Sequence, residues 1–350
     1  MAWTQKHPIT RWAVPAAAVA AIAAMTVIPM AGADPKLPPK SPEQLLVDIH
    51  NSNVDEFHGT VETSADLGLP ALPGDSDYTA LLSGTHTVRV WQDGADKSRA
   101  SLMGEDSETT VVRNGDDVWQ WSSKDKTAKH ATVPEHEGES GKHAGDTTPQ
   151  QAAKEILAAV EPSTEVTVTD SERVAGRPAY VLVLEPKSDQ TLVERATIAV
   201  DSETSTPLRV QVFASGTERP AISVGYRSVD FTAPDPSVFD FTPPSGATVE
   251  EVTPEKHPDK KHEKSQPEPT TVGEGWNRVT VMTMPPMPPP SEPCAKPTDL
   301  EQWLDQLPEV SGSWGKGKVV KTNLATAVLT DDGRLAFGLV PVDTVVDAIS

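Results

Sequence analysis

Apolar and polar side chains alternate with a period of two along most of the chain, and three Asx-Gly pairs mark reversals. The pair is Asp93-Gly94 in HTVRVWQDGADKSRASLM, Asn114-Gly115 in TTVVRNGDDVWQWS and Asp332-Gly333 in TAVLTDDGRLAFGLV. Asx-Gly between alternating runs is a strong hairpin signal, because Asx and Gly both tolerate the positive φ of a tight turn. The runs TEVTVTD, AYVLVLE, TLVERATIAVD, PLRVQVFA and AISVGYRSVDF follow at spacings too short for crossover helices, so neighbours should pair antiparallel. One large antiparallel sheet is expected.

In GRPAYVLVLEP, residues 176–186, Val181 and Val183 face one side while Tyr180, Leu182 and Leu184 face the other. Neither side suits water, so this sheet needs two covers. Helices are scarce. Ser41 as N-cap, Pro42 at the first position and Gln44 three after the cap open one, with Leu45, Leu46 and Ile49 on its apolar stripe. Thr148 with Pro149 and Gln151 opens a second near residues 149–160. Thr298 with Glu301 opens a third, and a weaker candidate, PVDTVVDAI, begins at Pro341. About four short helices cannot wholly cover a dozen strands, so a curled sheet would keep a hollow that its helices lid incompletely. The fold class expected is α+β: a large curved antiparallel sheet, a half-barrel with a few helices over its concave face.

Trp119 and Trp121 lie two apart on one strand and share a face, and Trp91, ending a neighbouring strand, can join them. They either fill a core between sheet and helices or wall an apolar cavity. On the cavity reading its lining is Trp91, Trp119, Trp121, Tyr180, Leu182, Leu184, Ile198, Val200, Val210 and Val212. A register differing by one would turn the opposite set inward.

The N-terminus adds a location. Lys6 and Arg11 precede an uncharged run from Trp12 to Ala33 that ends in Ala31-Gly32-Ala33, the pattern of a signal peptide cleaved after Ala33 or of an uncleaved membrane anchor. Residue 34 onward is then outside the cytoplasm, secreted or held at the outer face of the membrane. The formal charge is -21, and it becomes two units more negative without residues 1–33, which carry no acid. Such a surface repels phosphate backbones, so nucleic acid is not expected as a partner. The single Cys294 excludes an intrachain disulfide.

Catalytic signatures are missing: no Gly-x-Ser-x-Gly elbow, no His-Glu-x-x-His, no phosphate-cradling loop and no paired Cys ligands. His130, His136 and His143 sit in a polar Gly-rich stretch and His257 and His262 in a charged one, while Asp75 and Asp77 lack the other ligands of a calcium loop. No catalytic residue, metal or cofactor is assigned, and the chain is not read as an enzyme.

From VAGRPAYVLVLEP through ATIAVDSETSTPLRVQVF to PAISVGYRSVDFTAPDPSVFDFTPPSGATV, the chain resembles the LolA-like superfamily of lipoprotein carriers and RseB-type envelope-stress sensors. It looks most like the versions found in high-GC Gram-positive bacteria. The helix SPEQLLVDI, the strand FHGTVE and the hairpin NGDDVWQW fit too, so the resemblance covers roughly residues 41–252. It implies a half-barrel whose hydrophobic concave face is covered by helices and receives acyl chains. Carriers of this kind use a lid-locking Arg on an early strand, for which Arg89 and Arg99 are both available.

The expected organisation is a signal peptide or anchor at 1–33, a LolA-like lipid-binding half-barrel at 34–252 and a charged flexible linker at 253–271. Residues 272–350, with a Pro-rich segment at 284–293, are expected to complete the same sheet. The functional expectation is an extracytoplasmic lipid or lipoprotein carrier that makes no covalent bond, its partners being acyl chains or a lipoprotein. The alternative is an RseB-like sensory module acting on a membrane protein partner such as an anti-sigma factor.

Overall fold

A computed structural model describes residues 35–52, 54–69, 83–104, 106–132, 163–252, 269–284 and 299–350. The export segment, the helix expected near residues 149–160, most of the charged linker, nearly all of the Pro-rich segment, Cys294, Asp75, Asp77, His136, His143, His257 and His262 lie outside the described residues.

The first described helix, α1 (Pro42–Asn51), begins as its sequence dictates. The Ser41 hydroxyl accepts from the Gln44 amide at 3.3 Å, and the Ser41 amide donates to the Gln44 side chain at 3.0 Å, closing a capping box with Pro42 at the first position. Twelve strands follow: β1 (Glu56–Asp66), β2 (Ser83–Asp93), β3 (Lys97–Met103), β4 (Glu108–Asn114), β5 (Asp117–Ser122), β6 (Thr127–Thr132), β7 (Thr164–Val174), β8 (Arg177–Pro186), β9 (Val193–Asp201), β10 (Pro207–Ala214), β11 (Pro220–Asp230) and β12 (Thr248–Glu251). They form one open sheet in the order β12-β6-β5-β4-β3-β2-β1-β11-β10-β9-β8-β7, antiparallel except for the β12–β6 pair. The Asx-Gly turns fall where expected. Asn114 pairs with Asp117 across a two-residue turn, and Gly115 takes φ +63° there, a conformation that a side chain would strain.

The sheet does not close, but one end of it rolls. Three strands separate β7 from β11, about 19 Å in a flat sheet, yet their Cα atoms come within 8 Å. A register shift between Thr169 and Glu172 bends β7. Arg209 on β10 reaches over β9 and β8 to pair with Glu172. At the same end the fully buried Asp201 carboxylate accepts from Arg177 Nε at 2.8 Å and Nη2 at 2.9 Å.

Residues 270–349 correct one expectation, since they do not complete this sheet. Strands β13 (Thr270–Val272), β14 (Val279–Thr283), β15 (Glu309–Gly312), β16 (Gly315–Lys321), β17 (Thr326–Thr330) and β18 (Arg334–Gly338) build a second sheet, ordered β13-β14-β18-β17-β16-β15. Helices α2 (Asp299–Gln306) and α3 (Val342–Ala348) belong to this part of the chain, and Val345 and Ile349 pack on Val279, Val319, Val328 and Ala336. These strands therefore have an apolar face of their own that α3 covers, and they need no edge of the larger sheet. The sheets dock through Leu324, buried among Val193, Ala214 and Ala221, and through hydrogen bonds such as Trp276 Nε1 to Thr164 Oγ1 at 2.8 Å and Thr191 Oγ1 to the Leu339 carbonyl at 2.7 Å.

Candidate functional site

Directly opposed residues in an antiparallel ladder point to the same face, so the registers assign the paired side chains of β1–β11 to one of two faces. Val168, Leu182, Ile198, Val210 and Val224 oppose one another in turn across β7, β8, β9, β10 and β11, and the row continues to Thr63 on β1 and His86 on β2. A flanking row runs through Leu184, Ala196, Val212, Ile222 and Ala65. Tyr180 and Val200 oppose each other on the same face, as do Tyr226, Val61 and Val88.

This is the face that carries α1. Leu45, fully buried, packs with Tyr180, Leu182 and Leu184, and Leu46, Ile49 and Leu37 extend the contact towards Val166, Val168 and Ile198. The Tyr180 hydroxyl donates to the Pro38 carbonyl at 3.0 Å, which ties down the chain leading into the helix. Lys40 pairs with Asp48 at 2.7 Å and lies over the Tyr180 ring. Seven expected wall residues, Tyr180, Leu182, Leu184, Ile198, Val200, Val210 and Val212, thus share the helix-bearing face.

The structure does not bring the tryptophans to them. Trp91 opposes His58 on β1, whose neighbours Phe57 and Gly59 turn to the helix-bearing face, so Trp91 faces away from it. From Trp91 a row runs through Arg99, Val112, Trp119 and His130, and Trp121 opposes Thr110 and Ala128 on that same tryptophan face. β3 and β4 stand between Trp91 and Trp119, so the strands are not neighbours. Part of this face is packed by the chain after β11: Arg99 Nη1 donates to the Val238 carbonyl at 3.0 Å, Phe239 is fully buried, and Phe241 lies 5.4 Å from Trp119. Trp119 therefore packs against the segment 231–241, and Trp91 is linked to it through Arg99, whose guanidinium lies over the Trp91 ring. Arg89 opposes Thr60 and Ser101, so both early arginines face away from α1.

His130 stacks on Trp119 with centroids 4.3 Å apart and meets Asp117 at 3.0 Å and Glu251 at 2.9 Å. The Asp117 hydrogen bond raises its pKa; partial burial opposes this and Glu251 adds to it. On the helix-bearing face burial pushes the Tyr226 phenol far up, keeping it neutral. The Thr63 hydroxyl on that face is buried and has no hydrogen-bond partner among the described residues. Thr63, Val61 and Val224 share the helix-bearing face without having been expected there; β1 reads FHGTVETSAD, too polar to declare an inward face, whereas AISVGYRSVD on β11 alternates legibly.

A cleft of about 770 Å³ between the two sheets is lined by residues including Lys187, Ser188, Gly273, Asn277, Arg278 and Asp347, and a smaller one of about 410 Å³ by Asp66, Arg219 and Asn323 among others. None of the ten expected wall residues lines either. Among the described residues no group of three or more His, Cys, Asp or Glu side chains is placed to hold a metal, and no helix is long and apolar enough to cross a membrane.

Comparison with protein-family models and with curated protein sequences gives no match. Among solved structures, the chain is similar to one in the Pseudomonas aeruginosa MucA/MucB complex, with 15% identity over 88% of this chain and 96% of that one and a TM-score of 0.44. It is also similar to a LolA superfamily protein from Nitrosomonas europaea, with 12% identity over 58% and 99% of the two chains and a TM-score of 0.22. LprF from Mycobacterium bovis matches at 10% identity over 59% and 97%, with a TM-score of 0.28. These likenesses concern the fold alone.

Proposed function

We propose that the protein is an extracytoplasmic lipid or lipoprotein carrier that holds acyl chains against the helix-bearing face of its larger sheet and makes no covalent bond. One observation carries this reading: the aliphatic rows cross five strands, far more than α1 covers. Ten helical residues span about 15 Å, against roughly 50 Å for twelve strands side by side, and α1 sits over the Tyr180, Leu182 and Leu184 corner. Val210, Val212, Ile198 and Ile222 are only partly buried and Val111 on the same face is 38% exposed, whereas Val61, Val200, Val224 and Tyr226 on that face are already buried. Each methylene taken from water contributes roughly 0.8 kcal/mol, so eight of them on this surface hold a tail by about 6 kcal/mol.

Native mass spectrometry and organic extraction of gently purified protein test the reading, with lipid recovered in stoichiometric amount as the expected result. Val210→Asp, which puts a charge in the middle of the row, should abolish the bound lipid, and Trp119→Ala on the other face should leave it in place. Lipid-free wild-type protein, or the reverse pattern in the variants, would count against it.

A second reading, a sensory module acting on a membrane protein such as an anti-sigma factor, is supported by the second sheet and its cleft against the first. Recovery of one stoichiometric protein partner without lipid in a pull-down from membranes would favour it.

A further inference from the structure

Resting on the carrier reading above, we infer that an acyl chain lies across the strands along the Val168-to-Val224 row, with its ester carbonyl at Thr63 and its methyl end towards α1. The row is apolar for five successive strands and then changes character at one step. Val168, Leu182, Ile198, Val210 and Val224 are followed by Thr63, whose hydroxyl has no partner among the described residues, and then by His86. The His86 ring is already engaged, since Nε2 donates to the Ser83 carbonyl at 2.7 Å on its own strand. Along β1 the same face presents Val61 before Thr63 and Ala65 after it, so the hydroxyl stands among apolar neighbours.

Leaving a buried hydroxyl unpaired is unfavourable, and valine, its isostere, would fill the same space with at least as good a strand propensity. A threonine here is explained if an acceptor arrives with the ligand. Acyl esters have the matching shape: a long apolar tail and, at its head, a carbonyl oxygen that only accepts. From Thr63 to Leu182, beside Leu45 of α1, is four strand spacings, about 19 Å, so tail and carbonyl can be satisfied together. The opposite orientation would place the carbonyl among Leu182, Leu184 and Leu45, where the Tyr180 hydroxyl already donates to the Pro38 carbonyl.

The test uses the full chain, loaded separately with a dipalmitoyl diester glycerolipid and with the dihexadecyl diether of the same headgroup, which lacks both carbonyls. Wild type should hold the diester about fivefold more tightly, the yield of one ordinary hydrogen bond. Thr63→Val should bind both lipids equally while keeping the diether affinity of wild type, and Thr63→Ser should restore the preference. Equal binding of both lipids by wild type, or a preference that survives in Thr63→Val, overturns the inference and leaves the carrier reading standing. Failure of wild type to bind either lipid overturns both.

Discussion

Replacing Leu45 by alanine tests whether α1 is a separable lid. The side chain is fully buried, its neighbours are Tyr180, Leu182 and Leu184, and it comes from a ten-residue helix that contributes two buried residues, Leu45 and Val47. Removing the three outer carbons of a buried leucine costs about 2.7–5.0 kcal/mol in well-packed sites. Solvent borders α1 on its other side and the helix can settle inward, so the low end, about 3 kcal/mol, applies. The loss concerns the docking of one terminal element, so it should appear as local opening rather than global unfolding. Three kcal/mol is roughly a hundredfold in an opening equilibrium. Hydrogen exchange at the amides from Leu46 to Asn51 should accelerate by that factor while amides of β8 and β9 stay protected, and release of bound lipid should quicken in parallel. If the α1 amides change less than about threefold, or if β8 accelerates equally, the helix is part of the sheet's core and cannot act as a lid.

His130 gives a pH prediction. Its folded pKa lies above the ordinary 6.5, so its contribution is fully present below that value and is lost as pH rises through the folded pKa. Protection of the β12 amides should fall across this window, and Asp117→Asn should lower the pKa read from the His130 ring by NMR; an unmoved titration would refute the assignment. Asp201 behaves in the opposite sense. Burial works to raise its pKa, but the Arg177 hydrogen bonds, with those from the Thr204 amide at 2.9 Å and hydroxyl at 2.8 Å, prevail and lower it. Its contribution is present above about 3.9 and is lost as pH falls through the folded pKa. Asp201→Asn should cost about 3 kcal/mol in chemical denaturation, the low end for a broken buried pair because Arg177 keeps some exposure and Glu203 as a second partner. A loss under about 1 kcal/mol would show that the pair is dispensable.

The features legible in the sequence are those whose physics is local. Asn114-Gly115 needs only its own φ angles to turn the chain, and Ser41 with Gln44 needs only one helical turn to cap it. The division of faces is not local. To learn that Trp91 looks away from Leu182, parity must be carried from β2 through β1, β11, β10 and β9 to β8, and β1, with Gly59, Thr60, Glu62, Thr63 and Ser64 in its middle, has no apolar stripe to show which side is in. A bulge between Thr60 and Val61 adds a further offset that no spacing rule supplies. The second sheet was hidden for a related reason. VTVMT and TAVLT look the same whether they extend one sheet or start another, and what decides is the long-range pairing of Val279 with Gly338, closed over by Val345 and Ile349.

The two faces also differ in how their covers are held, and this bears on where a ligand enters. On the tryptophan face the cover continues directly from β11: Asp235 caps the turn at Pro236–Phe239, Arg99 holds the Val238 carbonyl, and Asn114 donates to Asp240 at 3.3 Å. Lifting it would expose Phe239, a cost of about 3–5 kcal/mol by the scale of phenylalanine deletions, and would free the Arg99 guanidinium beside Trp91. On the helix-bearing face α1 is held by Leu45 and Val47, both buried, by Leu46 and Ile49, partly so, and by one hydrogen bond at each end, the Tyr180 hydroxyl donating to the Pro38 carbonyl and the Ser52 hydroxyl to the Thr204 carbonyl, each at 3.0 Å; the Lys40–Asp48 pair lies within the α1 segment itself. An exposed ion pair of that kind holds little in water, so between its two tethered ends the helix meets the sheet by apolar contact with Tyr180, Leu182 and Leu184. An acyl chain offers those three side chains the same kind of contact, which lets it replace the helix with little net change, whereas nothing in a hydrocarbon can replace what Arg99 and Asp235 do on the other side. On the carrier reading, entry past α1 is the route proposed, and it requires release of the Tyr180–Pro38 and Ser52–Thr204 hydrogen bonds on either side of that helix.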